Sequence, residues 1–220
     1  MKHSLLQKFL AVSCALALSG CATPPSKPQT GETSASRTTR DEFVATLNGI
    51  GVERAPTLGP VYREFLLAVY DKDYEKAWGF INQSSQDTLT SQLSSQIAEL
   101  ENATQLMEAE LRKPDISRGA RDYYTRSCAA QRDLAKQFKS FNGDGKQYFA
   151  FLIEKKQVIS VSREIVAQME VTGETINGDG GSLMRRHKET GEAGAVPFVL
   201  ENGAWKLDLL KTSQTQKPSE

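Results

Sequence analysis

Histidine and cysteine are scarce in this chain: two histidines and three cysteines among 220 residues. Beyond His3 the only histidine is His187, so a Ser-His-Asp or Cys-His arrangement would have to be built on it. His187 stands in Arg185-Arg186-His187-Lys188, whose composition reads as a solvated strand or loop. A zinc site needs several His, Cys or carboxylate ligands converging on one point, and the sequence offers too few. A phosphate-cradling glycine motif is missing as well, because Gly173 to Gly181 runs into basic β-like sequence rather than a helix. Charge of one sign is also lacking. The 27 basic and 27 acidic side chains balance to a formal net charge of +0, which argues against nucleic-acid binding, since that needs a basic field to release counterions. The longest apolar run, Phe9 to Leu18, falls short of the roughly 20 residues a membrane span requires. We therefore expect no metal, no cofactor and no bilayer-crossing helix, and the residues single out no catalytic group.

The N-terminus carries the most specific pattern. Lys2 and Lys8 precede the apolar run, and Ser19, Gly20 and Cys21 follow it, the layout of a secretory signal. Leu18-Ser19-Gly20-Cys21 resembles the bacterial lipobox, an aliphatic residue and two small ones before a cysteine. The resemblance implies cleavage between Gly20 and Cys21 and transfer of a diacylglyceryl group to the Cys21 thiol. An ordinary signal peptide whose cleavage site contains a cysteine is the alternative. Two or three acyl chains, at about 0.8 kcal/mol per buried methylene, would hold the protein persistently at a membrane. Ala22, not Asp, follows the cysteine, which by the same resemblance favours the outer over the inner membrane. With Cys14 removed and Cys21 acylated, Cys128 stands alone and no intrachain disulfide can form. A lone cysteine on a helix reads as a small buried apolar group.

Composition divides the rest. Residues 1–20 are the expected signal. Residues 21–40, rich in Pro, Ser, Thr and Gly, read as a lipidated disordered tether spanning about 25 Å. Residues 41–211 carry one domain's worth of apolar pattern, and the polar residues 212–220 form a disordered tail.

Within 41–211 the apolar period is first helical. Phe43, Val44, Leu47 and Ile50 follow Asp41, which could cap their helix. Gly59-Pro60 opens a second helix, with Val61, Phe65, Leu66, Val69 and Tyr70 as its buried side. Asp73 can cap a third carrying Ala77, Trp78 and Ile81. After Asn82 a long helix places Leu89, Leu93, Ile97, Leu100, Met107 and Leu111 on one narrow seam, with Thr104 in the gap. Thr104 is tolerable there if near solvent. Arg112-Lys113-Pro114 ends it. Asp115 can start a helix bearing Ala120, Tyr123, Tyr124, Ser127, Ala130, Leu134, Phe138 and Phe141, stopping near Asn142-Gly143. Two long helices joined at a proline imply an intramolecular antiparallel hairpin, a dimeric coiled coil being the alternative. Asp144-Gly145 then precedes Tyr148 to Ile153, a short helix in preference to a strand.

From Val158 the period turns to two, with Ile165, Ala167, Met169 and Val171 on one side of a strand. Asn177 to Gly181 reads as a turn, not a calcium loop, for it lacks spaced acidic ligands. Leu183 to Lys188 is a further strand. Asn202-Gly203, between Val196–Glu201 and Ala204–Leu210, is a strong hairpin signal because a type I′ turn needs positive φ at both centres. Phe198 and Leu200 would share an apolar face with Trp205, Leu207 and Leu209. The fold class is therefore α+β: N-terminal helices, including a long hairpin, packed on a C-terminal antiparallel sheet.

Two phrases carry a second resemblance. Phe65-Leu66-Leu67-Ala68 with Asp73-Tyr74-Glu75-Lys76-Ala77-Trp78, and the closing run Val196 to Asp208, are similar to the opening helices and final hairpin of NTF2-like (SnoaL-type) domains. That resemblance implies a cone-shaped fold and, in some relatives, a pocket Asp or Tyr that moves protons. Residues 84–142 depart from the pattern by their helical length. Glu164, Glu170 and Asp208 lie on or beside expected strands, and Trp78 and Trp205 are potential pocket walls, with core packing the simpler role for both. The reading is a lipid-anchored envelope lipoprotein whose body binds another envelope protein or a small apolar ligand without catalysis. A pocket enzyme of isomerase or hydrolase type, or a helical assembly protein using the Leu93–Leu111 seam, are the alternatives. The oligomeric state is not legible.

Overall fold

A computed structural model describes residues 34–212. The signal, Gly20 and Cys21, and the tail beyond 212 lie outside the described residues. The protein is α+β, a helical first part followed by an antiparallel sheet. Its described residues divide into two compact units: residues 95–140, and residues 34–94 with 141–212.

The larger unit opens with α1 (Ser34–Asn48). This helix begins inside the stretch that composition assigns to the tether, and Asp41 lies within it rather than at its cap. Arg40 holds it through an ion pair to Asp71 at 3.0 Å, and the Phe43 ring stacks on Tyr70 with centroids 3.8 Å apart. A 3₁₀ turn (Val52–Arg54) leads into α2 (Leu58–Tyr70), whose Pro60 sits in the first turn, where its missing N–H leaves no hydrogen bond unmade. The buried side of α2 is wider than the apolar spacing implies. It takes in Leu58 and Tyr62 as well as Phe65 to Val69, and Val61 is only half-buried. Gly59 is required here, because a Cβ would lie 2.1 Å from the Val52 carbonyl oxygen.

Asp73 caps α3 (Tyr74–Gly79), its carboxylate accepting from the Lys76 N–H at 3.0 Å; such a cap is worth about 1 kcal/mol. Ile81 lies beyond that helix, bridging in parallel to Leu207. Then α4 (Gln83–Leu111) begins, and it enters the smaller unit at Ser95. Where the chain re-enters the larger unit, Asn142 and Gly143 take φ of 52° and 77°, and α6 (Gly145–Glu154) follows, capped by Asp144. Its Phe149 is fully buried and tilts against Trp78 at 5.6 Å.

The period-two reading fails over 163–167. Ser162 takes extended backbone and its hydroxyl accepts from the Ile165 N–H, so these residues form a short helix, α7 (Arg163–Ala167), burying Val166 alone. The sheet then runs as a meander of β1 (Met169–Asn177), β2 (Gly180–His187), β3 (Ala193–Glu201) and β4 (Ala204–Leu207), all neighbours antiparallel. Gly178, at φ 58°, turns β1 into β2; Asn202 and Gly203, at φ 52° and 78°, make the type I′ turn between β3 and β4. Phe198 pairs with Leu207 and Leu200 with Trp205, as the alternation implies. Leu209 does not join them, since the chain leaves the sheet at Asp208 for α8 (Leu209–Thr212). Val171, Leu183, Val196, Phe198 and Leu207 form the buried face, and α2 lies against it.

The smaller unit is the antiparallel hairpin of α4 and α5 (Arg118–Ser140). Glu101 pairs with Lys139 and Glu108 with Arg132, so residue numbers fall on one helix as they rise on the other. Ser117, not Asp115, caps α5, accepting from the Ala120 N–H at 3.2 Å. Thr104 is buried rather than near solvent; its hydroxyl is satisfied by the Leu100 carbonyl at 2.7 Å. Cys128 is buried beside it, its thiol 3.9 Å from the Thr104 carbonyl.

Candidate functional site

The lipid-attachment residue Cys21 and the Gly20 before it lie outside the described residues, so the sites that geometry can describe are those of the folded units. In the larger unit the polar side chains on and around the sheet fall into three groups.

The first is Glu174. A strictly alternating β1 would turn it away from α2. Between Val171, which pairs with Arg185, and Gly173, which pairs with Met184, Thr172 is an extra residue. This bulge shifts the alternation by one and brings Glu174 to the face that carries Leu183. Its carboxylate accepts from the Leu58 N–H at 2.7 Å and from the Thr57 N–H at 3.0 Å, closing the N-terminus of α2. A negative charge is favoured there by the helix dipole.

The second group joins the end of the sheet to the start of α4. Asn82 Oδ1 accepts from the Ser85 N–H at 3.0 Å, and Glu201 reaches the Gln83 N–H at 3.1 Å. In return the Ser85 hydroxyl accepts from the Leu209 N–H at 3.1 Å, capping α8. Asp208 is buried beneath, with its carboxylate on Lys211 through both the backbone N–H (3.3 Å) and the ammonium (3.2 Å). The buried carboxylate expected of a proton-moving pocket is thus present at Asp208, and it serves as a helix cap.

The third group is on the opposite sheet face. Glu170 bridges Arg54 and Arg186, whose hydrogen bonds hold its carboxyl below the ordinary value of 4.5. Arg185-Arg186-His187-Lys188 therefore does not act as one basic patch. Arg186 is neutralised by Glu170, Lys188 donates to the Ala167 carbonyl at 2.7 Å, and His187 Nδ1 accepts from the Thr190 N–H at 3.2 Å. Arg185, one step along the strand, lies on the α2 side. Glu164 is exposed on α7; its own backbone N–H and the Ser162 hydroxyl lower its pKa, and neither Glu170 nor Asp208 is among the groups that perturb it.

The tryptophans pack. Trp205 Cζ3 would come within 3.2 Å of a Cβ at Gly181, and Leu58 Cδ1 within 3.0 Å, so α2 and the sheet touch here without room for a methyl group. Trp78 leans on Phe149. Beside it Tyr74 faces Glu154; burial first, then that carboxylate, push the phenol pKa up and keep it protonated at neutral pH. Among the described residues no buried side-chain nitrogen or oxygen lacks a hydrogen-bond partner, and no three His, Cys, Asp or Glu side chains cluster as metal ligands would.

The smaller unit carries a shallow trough of about 490 Å³ along its hairpin, lined by Glu101, Gln105, Arg132, Lys136 and Lys139. Within the hairpin Thr104 reaches Gln131 and Cys128 on α5, while Leu106 and Tyr123 are exposed, 63% and 56%. No described helix is long and apolar enough to cross a membrane.

Sequence reasoning did not identify Glu174, Ser85 or Glu201. The one signal for Glu174 was the adjacent Gly173, since a glycine inside a strand often marks a bulge. Family models, curated proteins and solved structures were each compared with the chain, and nothing matched in any of them.

Proposed function

We propose that this protein is a lipid-anchored component of the bacterial envelope, acylated at Cys21 after cleavage behind Gly20, with an α+β body that works as a binding module. The observation that carries this reading is Leu18-Ser19-Gly20-Cys21 closing a short apolar run behind Lys2 and Lys8. The run is too short to span a bilayer and ends in the one side chain that can take a thioether-linked lipid. Ala22 after the cysteine supports the outer membrane as its destination. The body supports binding over catalysis in a specific way: Glu174, Glu201 and Asp208 are each spent on closing a helix terminus, and Glu170 is locked between two arginines. The two NTF2-like phrases fall on α2–α3 and on β3–β4 and support a helix-on-sheet binding domain of that kind.

Metabolic labelling with an alkyne fatty acid, on the full chain expressed in a bacterial host, tests the anchor. The wild type takes label and sediments with the envelope membranes, and Cys21→Ser loses both properties. Undiminished labelling of Cys21→Ser would overturn the assignment.

A further inference from the structure

Arg185 lies on the α2 side of β2, half-buried, directly across from Val171 on β1 and Gly194 on β3. Among the described residues no carboxylate pairs with it. Every other described arginine is either exposed to solvent or ion-paired. The contacts Arg185 does make are weak ones: Nη1 stands 3.4 Å from the Tyr62 hydroxyl and 3.5 Å from the Met169 sulfur. Tyr62 is buried, 4% exposed, and its oxygen accepts from Arg185, while its own O–H finds no acceptor among the described residues. The remaining guanidinium N–H groups, on Nε and Nη2, and the Tyr62 O–H thus meet at one place on the sheet with no acceptor among the described residues. Gly194 adds a third fact. It contributes no side chain beside the guanidinium, and even a Cβ there would be 3.8 Å from Arg185 Nε.

We propose that Arg185 and Tyr62 form a binding site for the carboxylate of a small organic acid. The planar guanidinium fork matches the two oxygens of a carboxylate, and the phenol O–H supplies one further donor to the same group. The surroundings select against a phosphate or other dianion. Arg185 brings a single positive charge, Met169 and Val171 beside it are apolar, and Glu174 places a negative charge on the same face. A monocarboxylate with an apolar body satisfies both donors and lies against the half-buried Met169 thioether. The site holds whether or not Cys21 carries lipid, because none of its residues belongs to the N-terminal segment.

Isothermal titration of the full chain with benzoate tests it, with benzamide as the neutral isostere and inorganic phosphate as the alternative anion. Benzoate is expected to bind saturably at one site, benzamide at least about tenfold more weakly, and phosphate without competing, as befits a charge-assisted bidentate contact. Arg185→Lys, which keeps the charge and loses the fork, weakens benzoate about tenfold. Tyr62→Phe, which removes one oxygen and keeps the buried ring, weakens it several-fold and carries the test if Arg185→Lys does not fold. Arg186→Gln, on the other sheet face, leaves binding unchanged. Equal binding of benzamide, competition by phosphate, no saturable heat with benzoate, or full affinity in Tyr62→Phe would each overturn the proposal.

Discussion

Replacing Glu174 by alanine tests whether a carboxylate on the sheet holds the start of α2. In the wild type that carboxylate accepts from the Leu58 N–H at 2.7 Å and the Thr57 N–H at 3.0 and 3.2 Å. Leu58 is fully buried, so water cannot readily replace the lost acceptor at its N–H. A hydrogen bond to a charged group contributes about 1.5–3 kcal/mol, and loss of an N-terminal cap costs about 0.5–2 kcal/mol. These overlap in the same contacts, so they are not summed. We expect Glu174→Ala to destabilise the larger unit by about 2 kcal/mol and Glu174→Gln by about 1 kcal/mol, since the amide oxygen still accepts but carries no charge. Both tryptophans of the chain, Trp78 and Trp205, belong to that unit, so their fluorescence follows its unfolding in urea. With a slope of about 2 kcal/mol per molar urea, the alanine variant should lower the midpoint by about 1 M. An alanine variant whose midpoint stays within about 0.2 M of wild type would refute the capping role.

Gly59→Ala puts a methyl 2.1 Å from the Val52 carbonyl oxygen, and should cost at least about 1–3 kcal/mol by overpacking in the same fluorescence titration. Gly49→Ala, whose closest contact would be an ordinary 3.4 Å, should be near neutral. Gly203→Ala forces an alanine to φ 78° in the type I′ turn and should lose about 1–2 kcal/mol. The pH prediction rests on Glu170, whose carboxyl is lowered from 4.5 chiefly by Arg186 and then by Arg54. A depressed folded-state pKa stabilises fully above the unfolded value and loses that contribution as pH falls through the folded one. Urea midpoints measured between pH 7 and pH 3 should therefore fall less steeply below about 4.5 in Glu170→Gln than in wild type.

Local pattern carried much of the fold. Asp73 and Asp144 cap the helices their positions imply, Pro114 follows the end of α4 at Leu111, and Asn202-Gly203 makes the expected turn. Where pattern misled, a short-range polar contact had outcompeted it. Ile165 and Ala167 alternate like strand residues, but the Ser162 hydroxyl captures the Ile165 N–H and winds the segment into α7. Leu209 continues the alternation of β4, yet its N–H goes to Ser85 and the strand stops. Tyr62 escaped notice because a stripe drawn through Val61, Phe65 and Val69 leaves it outside, whereas α2 is buried over more than one stripe.

The polar groups around the sheet were illegible for a different reason: their partners are far away in the chain. Glu174 closes a helix 116 residues before it, Glu201 one 118 residues before it, and Ser85 caps a helix 124 residues after it. No window of sequence holds both ends of such a contact, and the bulge at Thr172 that aims Glu174 leaves only a glycine as its trace. Each of these contacts matches an acceptor to an orphan N–H of a helix end, which is what a structural polar group does in an interior. Arg185 and Tyr62 depart from that pairing logic: the Tyr62 oxygen accepts from Nη1 at 3.4 Å, while Nε, Nη2 and the phenol O–H meet no acceptor among the described residues. A sheet face that satisfies its other polar contacts internally has kept one pair of donors facing a position without a side chain, at Gly194. Stability gives no reason for that excess, because an apolar residue at position 185 would suit Met169 and Val171 better. A ligand carboxylate does.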